Sequence, residues 1–514
     1  MDMSDQQHVI SAADKPVLLR SDKYPVPDAA KGKVALLSDF TLLVWESYKS
    51  DHAVLAYQKL LERYDIRFTV RLVPVEEVRA ALDGPGAKTA ARRAENISDV
   101  QIKAINLIKE AVKLDATDIH ILNYQAKSII KLRIHGLLFV HREIDAEEGQ
   151  VLCRCMYGSM CDVGDGNYND RLSQDARLSR ETIKSAGLNG ARISTRPMEY
   201  GNLFELRLLY GSSKRRRSLK ELGYNARQIA AINQMIRRKG VNIFSGVTGS
   251  GKSTALQVVL SMLLNLHDGR INLMTVEQPL EYVIEGAVQT PLLCDLDDDE
   301  QVAREWARSI ANLMRLDPDY LMVGELRDLA STLAAIQAAM TGHGMWTTTH
   351  AKDAFATFDR LADLAVPIRR LTDASLFTGV VNQSLAPVLC PDCKRPFSKF
   401  QSEVPEDLRE RVKRFCVQAG VFIAGKDASC TTCGGLGIVD RTVVAEAVLT
   451  NQHLLSVYRR DDGGSSAARS YWVREMDGMT KCQHLIQKIN EGLVDPFMGE
   501  EAVCGLDEDS LIIA

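Results

Sequence analysis

GVTGSGKS, residues Gly246 to Ser253, fits the pattern G-x-x-x-x-G-K-[ST] at every fixed position and follows a short apolar run, Val241 to Phe244. The order is strand, glycine loop, helix. Glycines let the backbone curl until its N–H groups point inward at phosphate oxygens, and the N-terminus of the next helix adds partial positive charge there. The loop backbone at Gly246, Thr248, Gly249, Ser250 and Gly251 would form the cradle and Thr254 would close it. Lys252 would reach the β- and γ-phosphates, and Ser253 would ligate Mg²⁺. The ligand this predicts is ATP or a close relative.

Around the loop, helices and strands alternate: strands over 241–245, 271–276, 320–323 and 345–349, separated by helices. That alternation implies a parallel sheet with ligands at the carboxyl edge of its strands. The third strand ends in Val323-Gly324-Glu325, where a carboxylate could poise a water for in-line attack on a γ-phosphoryl group. A glutamate there could equally cap the next helix. Gly324 stands where an Mg²⁺-holding Asp is usual, so Glu277 and Glu281, after the second strand, are the carboxylates available to the metal. His343 and His350 bracket the fourth strand. A half-buried imidazole often only satisfies backbone groups, but at the sheet edge it could sense or polarise a phosphate.

Outside this region the sequence divides readily. With 514 residues, 46% hydrophobic and 25% charged, the chain has material for about three or four domains. Residues 1–90 form a small unit with apolar patches at Val34 to Trp45 and Phe68 to Val75, and Gly84-Pro85-Gly86 with Arg92 and Arg93 reads as a linker. Ser98 and Gln101 fit a capping box, opening a helix and an α+β domain over 97–210. There Ile130, Leu132 and Ile134, and later Phe204, Leu206 and Leu208, alternate with polar residues as half-buried strands do. A linker over 211–222 contains the basic run Lys214 to Arg217, which reads either as a solvated connector or as a nucleic-acid contact. The ATPase domain would cover 223–388.

Cys390-x-x-Cys393 and Cys430-x-x-Cys433 offer four thiolates on two tight turns, the donor set of a closed, structural Zn²⁺ site within a module over 389–441. A region over 442–514 completes the chain. The other cysteines, Cys153, Cys155, Cys161, Cys294, Cys416, Cys482 and Cys504, show no pairing pattern. No stretch reaches the ~20 apolar residues a bilayer requires, no secretory signal opens the chain, and the cysteine usage fits a reducing, cytoplasmic setting. A formal net charge of -4 argues against a surface that coats nucleic acid.

Taken together, these motifs resemble the secretion ATPase family of type II secretion and type IV pilus assembly. The resemblance runs from about Ile97 to Val448. It rests on Ala116-Thr117-Asp118-Ile119-His120, Arg133-Ile134-His135-Gly136, Ser173-Gln174-Asp175, Arg192-Ile193-Ser194-Thr195, the phosphate loop, Thr275 through Tyr282, Arg315-Leu316-Asp317-Pro318-Asp319, Val323 through Asp328, Thr341 through His350, and the two CxxC pairs. It implies an α/β fold: a RecA-like P-loop ATPase domain, a preceding α+β (PAS-like) domain, a small N-terminal docking domain and a zinc-binding C-terminal module. It maps catalytic roles onto Glu325, Lys252, Glu281, His350, Arg192 and Arg207, and nucleotide contacts onto Glu277, Arg315 and His343. Gln278, Ala311, His135, Lys352 and Asp440 depart from the family pattern in a way that resembles the type IVb or conjugative-plasmid pilus branch. The resemblance further implies a homohexamer bound to an inner-membrane platform protein, hence peripheral membrane association through partners. Because retraction ATPases of the family generally lack the cysteine module, it favours assembly or secretion. The rival reading is a nucleic-acid-translocating motor of a conjugation system.

Overall fold

A computed structural model describes residues 18–19, 24–64, 66–83, 87–164, 166–210, 217–278, 280–292, 299–460 and 464–513. The chain divides into two compact units, one ending at Ala104 and one beginning at Ile105. In the first, the apolar run at Val34 to Trp45 is a hairpin, Val34–Leu36 against Thr41–Trp45, and Thr69–Val73 adds a parallel strand. The crossover helix His52–Arg63 is capped by Asp51, whose carboxylate accepts from the amides of Ala53 and Val54. Val54, Tyr57 and Leu61 on that helix meet Val34, Leu36 and Val44 in a small core. The Gly84-Pro85-Gly86 turn lies outside the described residues.

Ser98 does not start a helix. The helix runs unbroken over Ala87–Lys113, because 87–94 is rich in alanine, lysine and arginine, all good helix formers. The boundary expected between 90 and 97 therefore falls inside it. After this helix comes a seven-stranded antiparallel sheet in the order Leu137–Asp145, Lys127–Ile134, Ala116–Tyr124, Gly201–Tyr210, Leu188–Met198, Gln174–Leu178 and Cys161–Gly164. The helix Ala146–Ser159 packs on it through Leu152, Cys153 and Met156. Alternation along Lys127–Ile134 buries Ile130, Leu132 and Ile134, as the period of two requires.

The second large sheet also has seven strands: Val288–Pro291, Leu273–Glu277, Tyr320–Val323, Gly344–Thr349, Val241–Ser245, Phe377–Leu389 and Ile438–Leu449. All neighbours are parallel except the last pair. Parallel strands are covered on both faces and read as continuous apolar runs. Val241–Ser245 is accordingly buried at every residue. Val241 and Ile243 face one core, with Trp306, Ile310, Ile336 and Phe358. Phe244 faces the other, with Leu256, Val259, Leu260 and Trp346.

Two expected boundaries move. The linker expected over 211–222 ends earlier, because Ser218 and Glu221 form a reciprocal capping box on the short helix Leu219–Leu222, whose leucines are buried in the second core. Residues 211–216, with most of the basic run, lie outside the described residues, while Arg217 pairs with Asp440 at 3.1 Å. The cysteine segment is not a domain beyond the sheet but an insertion between its last two strands, since Ile438–Leu449 pairs along its length with Phe377–Leu389. The final helices return to the sheet: His484, on Lys481–Asn490, accepts the Ala445 amide on that last strand. No described helix is long and apolar enough to cross a membrane.

Candidate functional site

The phosphate loop leaves the central strand at Ser245 and enters the helix Lys252–Leu266. Gly246 and Gly251 hold φ of 147° and 80°. A Cβ at Gly246 would lie 2.3 Å from the Gln383 carbonyl, so only glycine lets the loop turn this tightly against the neighbouring strand. Lys252 Nζ folds back onto the carbonyls of Gly246 and Val247 at 2.8 and 3.0 Å. Burial pulls its pKa below the usual lysine range, opposed by the charges of Glu325 and Glu281.

The loop opens into a cavity of about 960 Å³, lined also by Ser253, Thr254, Glu277, Glu281, Tyr282, Glu325 and His350 from the carboxyl edge of the sheet. Glu277 is 7% exposed and accepts from Thr275 Oγ1 at 2.6 Å and Gln289 Nε2 at 2.9 Å. Burial raises its pKa against those bonds. Glu325 is held from two sides, by Arg327 Nε at 2.8 Å and His350 Nε2 at 3.2 Å. Burial, with Lys252 next, lowers the His350 pKa and favours the neutral ring, while Glu325 opposes. A neutral imidazole can donate one hydrogen bond and accept another.

The opposite wall comes from the antiparallel sheet. Arg207 lines the cavity, and its Nε donates to Asp118 at 2.9 Å, which holds the guanidinium pKa up. Asp118 is 4% exposed and also pairs with Arg133 at 3.7 Å. One carboxylate thus carries two arginines at the cavity mouth. Thr254 Oγ1 and the Tyr282 hydroxyl are 3.1 Å apart.

Three sequence-derived candidates are not brought to this cavity within one chain. Arg192 is exposed, on the strand beside that of Arg207 and directly opposite it in register, but outside the lining. Arg315 and His343 precede the strands Tyr320–Val323 and Gly344–Thr349, so in a parallel sheet they lie at the amino edge, the side away from the phosphate loop. His343 there completes a helix end: its Nδ1 is 3.0 Å from the Ala338 carbonyl. The histidines do bracket their strand, and for that reason only one of them can reach the site. Conversely Asp118, Arg133, Tyr282, Arg327 and Arg441 line the cavity, beyond the residues expected there. Arg327 was findable, two residues beyond Glu325 on the same loop. The others depend on how two sheets meet.

The four cysteines do converge. Leu389 pairs with Ile438 in the last strand pair, so the turns carrying Cys390-x-x-Cys393 and Cys430-x-x-Cys433 meet at one end of it. All four sulfurs lie within 4.8 Å of one another, with Cys390 to Cys430 at 3.7 Å and Cys393 to Cys433 at 3.6 Å. A tetrahedral zinc with Zn–S near 2.3 Å needs sulfurs about 3.8 Å apart, so the donor set fits that ion. Of the remaining cysteines, Cys294 lies outside the described residues, and Cys153 and Cys482 are buried.

The family described as Type II/IV secretion system protein matches residues 94–501. A type II secretion system protein E from Aeromonas hydrophila is 33% identical over 357 residues, 68% of this chain and 66% of that protein. The type IV pilus assembly ATPase PilB of Myxococcus xanthus is 30% identical over 358 residues, 68% of this chain and 58% of that one. The chain therefore spans just under two thirds of the first relative and less of the second. Among solved structures, the ATPase DotB of Legionella pneumophila superposes with a TM-score of 0.50 over 76% of this chain and 92% of that one at 20% identity, a likeness of fold.

Proposed function

Since the chain belongs to the Type II/IV secretion system protein family, a family of ATPases, we propose that it hydrolyses ATP at the Gly246–Ser253 loop to drive type IV pilus assembly or type II-like secretion. The observation that carries this reading is one cavity in which the loop faces Glu325 and His350 on one side and Arg207 on the other. In use, Lys252 would leave the loop carbonyls for the β- and γ-phosphates, a charge-assisted exchange. Glu325, fixed by Arg327 and His350, would orient the attacking water, and phosphoryl transfer asks for little beyond positioning and charge. Ser253, with Glu277 and Glu281, offers the oxygen donors Mg²⁺ takes alongside waters. Bound there, Mg²⁺ would neutralise charge on the phosphates.

Arg207 and Arg133, held by Asp118, link nucleotide state to the position of the antiparallel sheet: phosphates would compete for these guanidinium groups, and hydrolysis would return them. Arg192 and Arg315 would act between copies in a homohexamer, Arg192 as an arginine finger. A membrane-embedded platform protein would receive the motion, through the N-terminal unit and the tetracysteine insertion, whose zinc would be structural. Purified protein should hydrolyse ATP with Mg²⁺, stop on chelation, and be indifferent to added DNA. Salt-sensitive stimulation by DNA would instead favour a nucleic-acid motor.

A further inference from the structure

Gln383 lies mid-strand in Phe377–Leu389, one residue past the register partner of Ser245, and is 0% exposed. Its carboxamide spans two buried groups. Nε2 donates to the Ser250 carbonyl, inside the phosphate loop, at 2.6 Å. Oε1 accepts from the Tyr224 hydroxyl. Burial pushes that phenol's pKa up, so it remains a donor. A carboxamide can be turned end for end with little change of shape, and a donor at one end decides which way it sits. With Tyr224 donating, the oxygen faces Tyr224 and the amide N–H faces the loop.

Neither side chain lines the cavity, whereas Ser250 and Gly251 do. The bond therefore grips the loop from behind. The C=O of Ser250 and the N–H of Gly251 belong to one planar peptide unit and point opposite ways. Drawing that carbonyl back onto Gln383 turns the Gly251 N–H forward, into the cavity. Gly251 caps the helix Lys252–Leu266 with φ of 80°, and its amide has no intrahelical acceptor there. An apolar pair in place of Gln383 and Tyr224 would fill the same space but leave the Ser250 carbonyl buried and unpaired, at a cost.

We propose that Gln383 is a positioning residue for the phosphate loop, oriented by Tyr224 so that the Gly251 amide is preset to donate to a phosphate oxygen. Tyr224 directly follows the helix Leu219–Leu222 and Gly223, its own amide bonding to the Leu219 carbonyl at 3.0 Å. There the chain, coming from the strand Gly201–Tyr210, enters the core of the parallel sheet beside Phe244 and Leu256. The relay from Tyr224 through Gln383 to Ser250 thus ties the loop to the segment that joins the two large sheets. The inference rests on the ATP reading and deepens it. Neither residue touches the nucleotide, so both act on affinity through the loop: in Tyr224→Phe the KM for ATP should rise with kcat changed little.

The test is equilibrium binding of a fluorescent ADP, with ADP, pyrophosphate and adenosine as competitors, to wild type, Tyr224→Phe, Gln383→Met and the double variant, together with ligand-free thermal unfolding. Losing one buried hydrogen bond should weaken ADP and pyrophosphate about fivefold in Tyr224→Phe, and at least as much in Gln383→Met, with adenosine unchanged. Because Tyr224 acts through Gln383, the double variant should bind no more weakly than Gln383→Met. Unchanged ADP affinity in Tyr224→Phe would overturn the inference while leaving the ATP reading intact. Losses that simply add in the double variant would overturn it too. So would ADP and adenosine weakened alike with a lowered melting temperature, the mark of a merely structural pair. If Gln383→Met does not fold, Tyr224→Phe, which keeps the ring, decides by the comparison of ADP with adenosine. If wild type binds no nucleotide, the ATP reading fails and the inference with it.

Discussion

Replacing Arg469 with methionine should destabilise the fold around the parallel sheet strongly at neutral pH and less in acid. Arg469 is 7% exposed and bridges two carboxylates, Glu446 at 3.0 Å and Asp353 at 2.8 Å, which are 1% and 15% exposed. Asp353 keeps the amides of Phe355 and Ala356 at the start of a helix. Glu446 keeps the amides of Ala354 and Lys481, the latter long at 3.4 Å. Methionine matches the volume but not the charge, so Glu446 is left buried with no cation. Removing one partner of a buried ion pair costs about 3–5 kcal/mol, and the 1% exposure of Glu446 puts this site in that class. In the variant the stranded carboxylate would have a folded-state pKa above its unfolded value, so its penalty is largest at high pH and shrinks as pH falls through that raised pKa. Chemical unfolding of both proteins at pH 7 and pH 5 measures this. A loss as large at pH 5 as at pH 7 would refute the charge argument and leave only packing.

A second pH effect belongs to the wild type. Burial, with Lys488 next, pulls the His484 pKa from 6.5 to about 3, while its Nδ1 accepts the Ala445 amide. The unfolded chain takes up a proton below pH 6.5 that the folded chain refuses. Stability is therefore lost between pH 6.5 and about 3, by roughly 2 kcal/mol at pH 5, and His484→Asn, which can still accept that amide, should lack this component in urea titrations. Metal analysis should find about one zinc per chain, and chelation should release hydrogen-exchange protection around residues 390–437 while the central strand Val241–Ser245 stays protected. Retention of the fold with no zinc would defeat the metal assignment.

The phosphate loop and the strands around it were legible because GVTGSGKS fixes a turn, and the short runs at 241–245 and 320–323, alternating with helices, fit buried parallel strands. That Glu325 and His350 share one sheet edge followed from strand order, since both close strands of one parallel sheet; their direct pairing did not. Direction along the strand was the missing element for His343, which its bracketing of the fourth strand made attractive, and for Arg315, which only the family resemblance brought in; topology placed both at the other edge. Ser98 looked like a cap in a window of a few residues, but helix-forming residues before it carry the helix through. The insertion of the cysteine module between two paired strands, and Arg441 at its exit, depend on pairing across residues 389 and 438. No local signal encodes that pairing.

Glu325 is the group proposed to orient water for hydrolysis, so the most direct measurement is ATP turnover and ATP binding by Glu325→Gln beside wild type. Glutamine keeps the shape and loses the charge that Arg327 and His350 hold. Turnover should fall about 100-fold or more with nucleotide binding retained. Turnover that survives intact in Glu325→Gln would contradict that role.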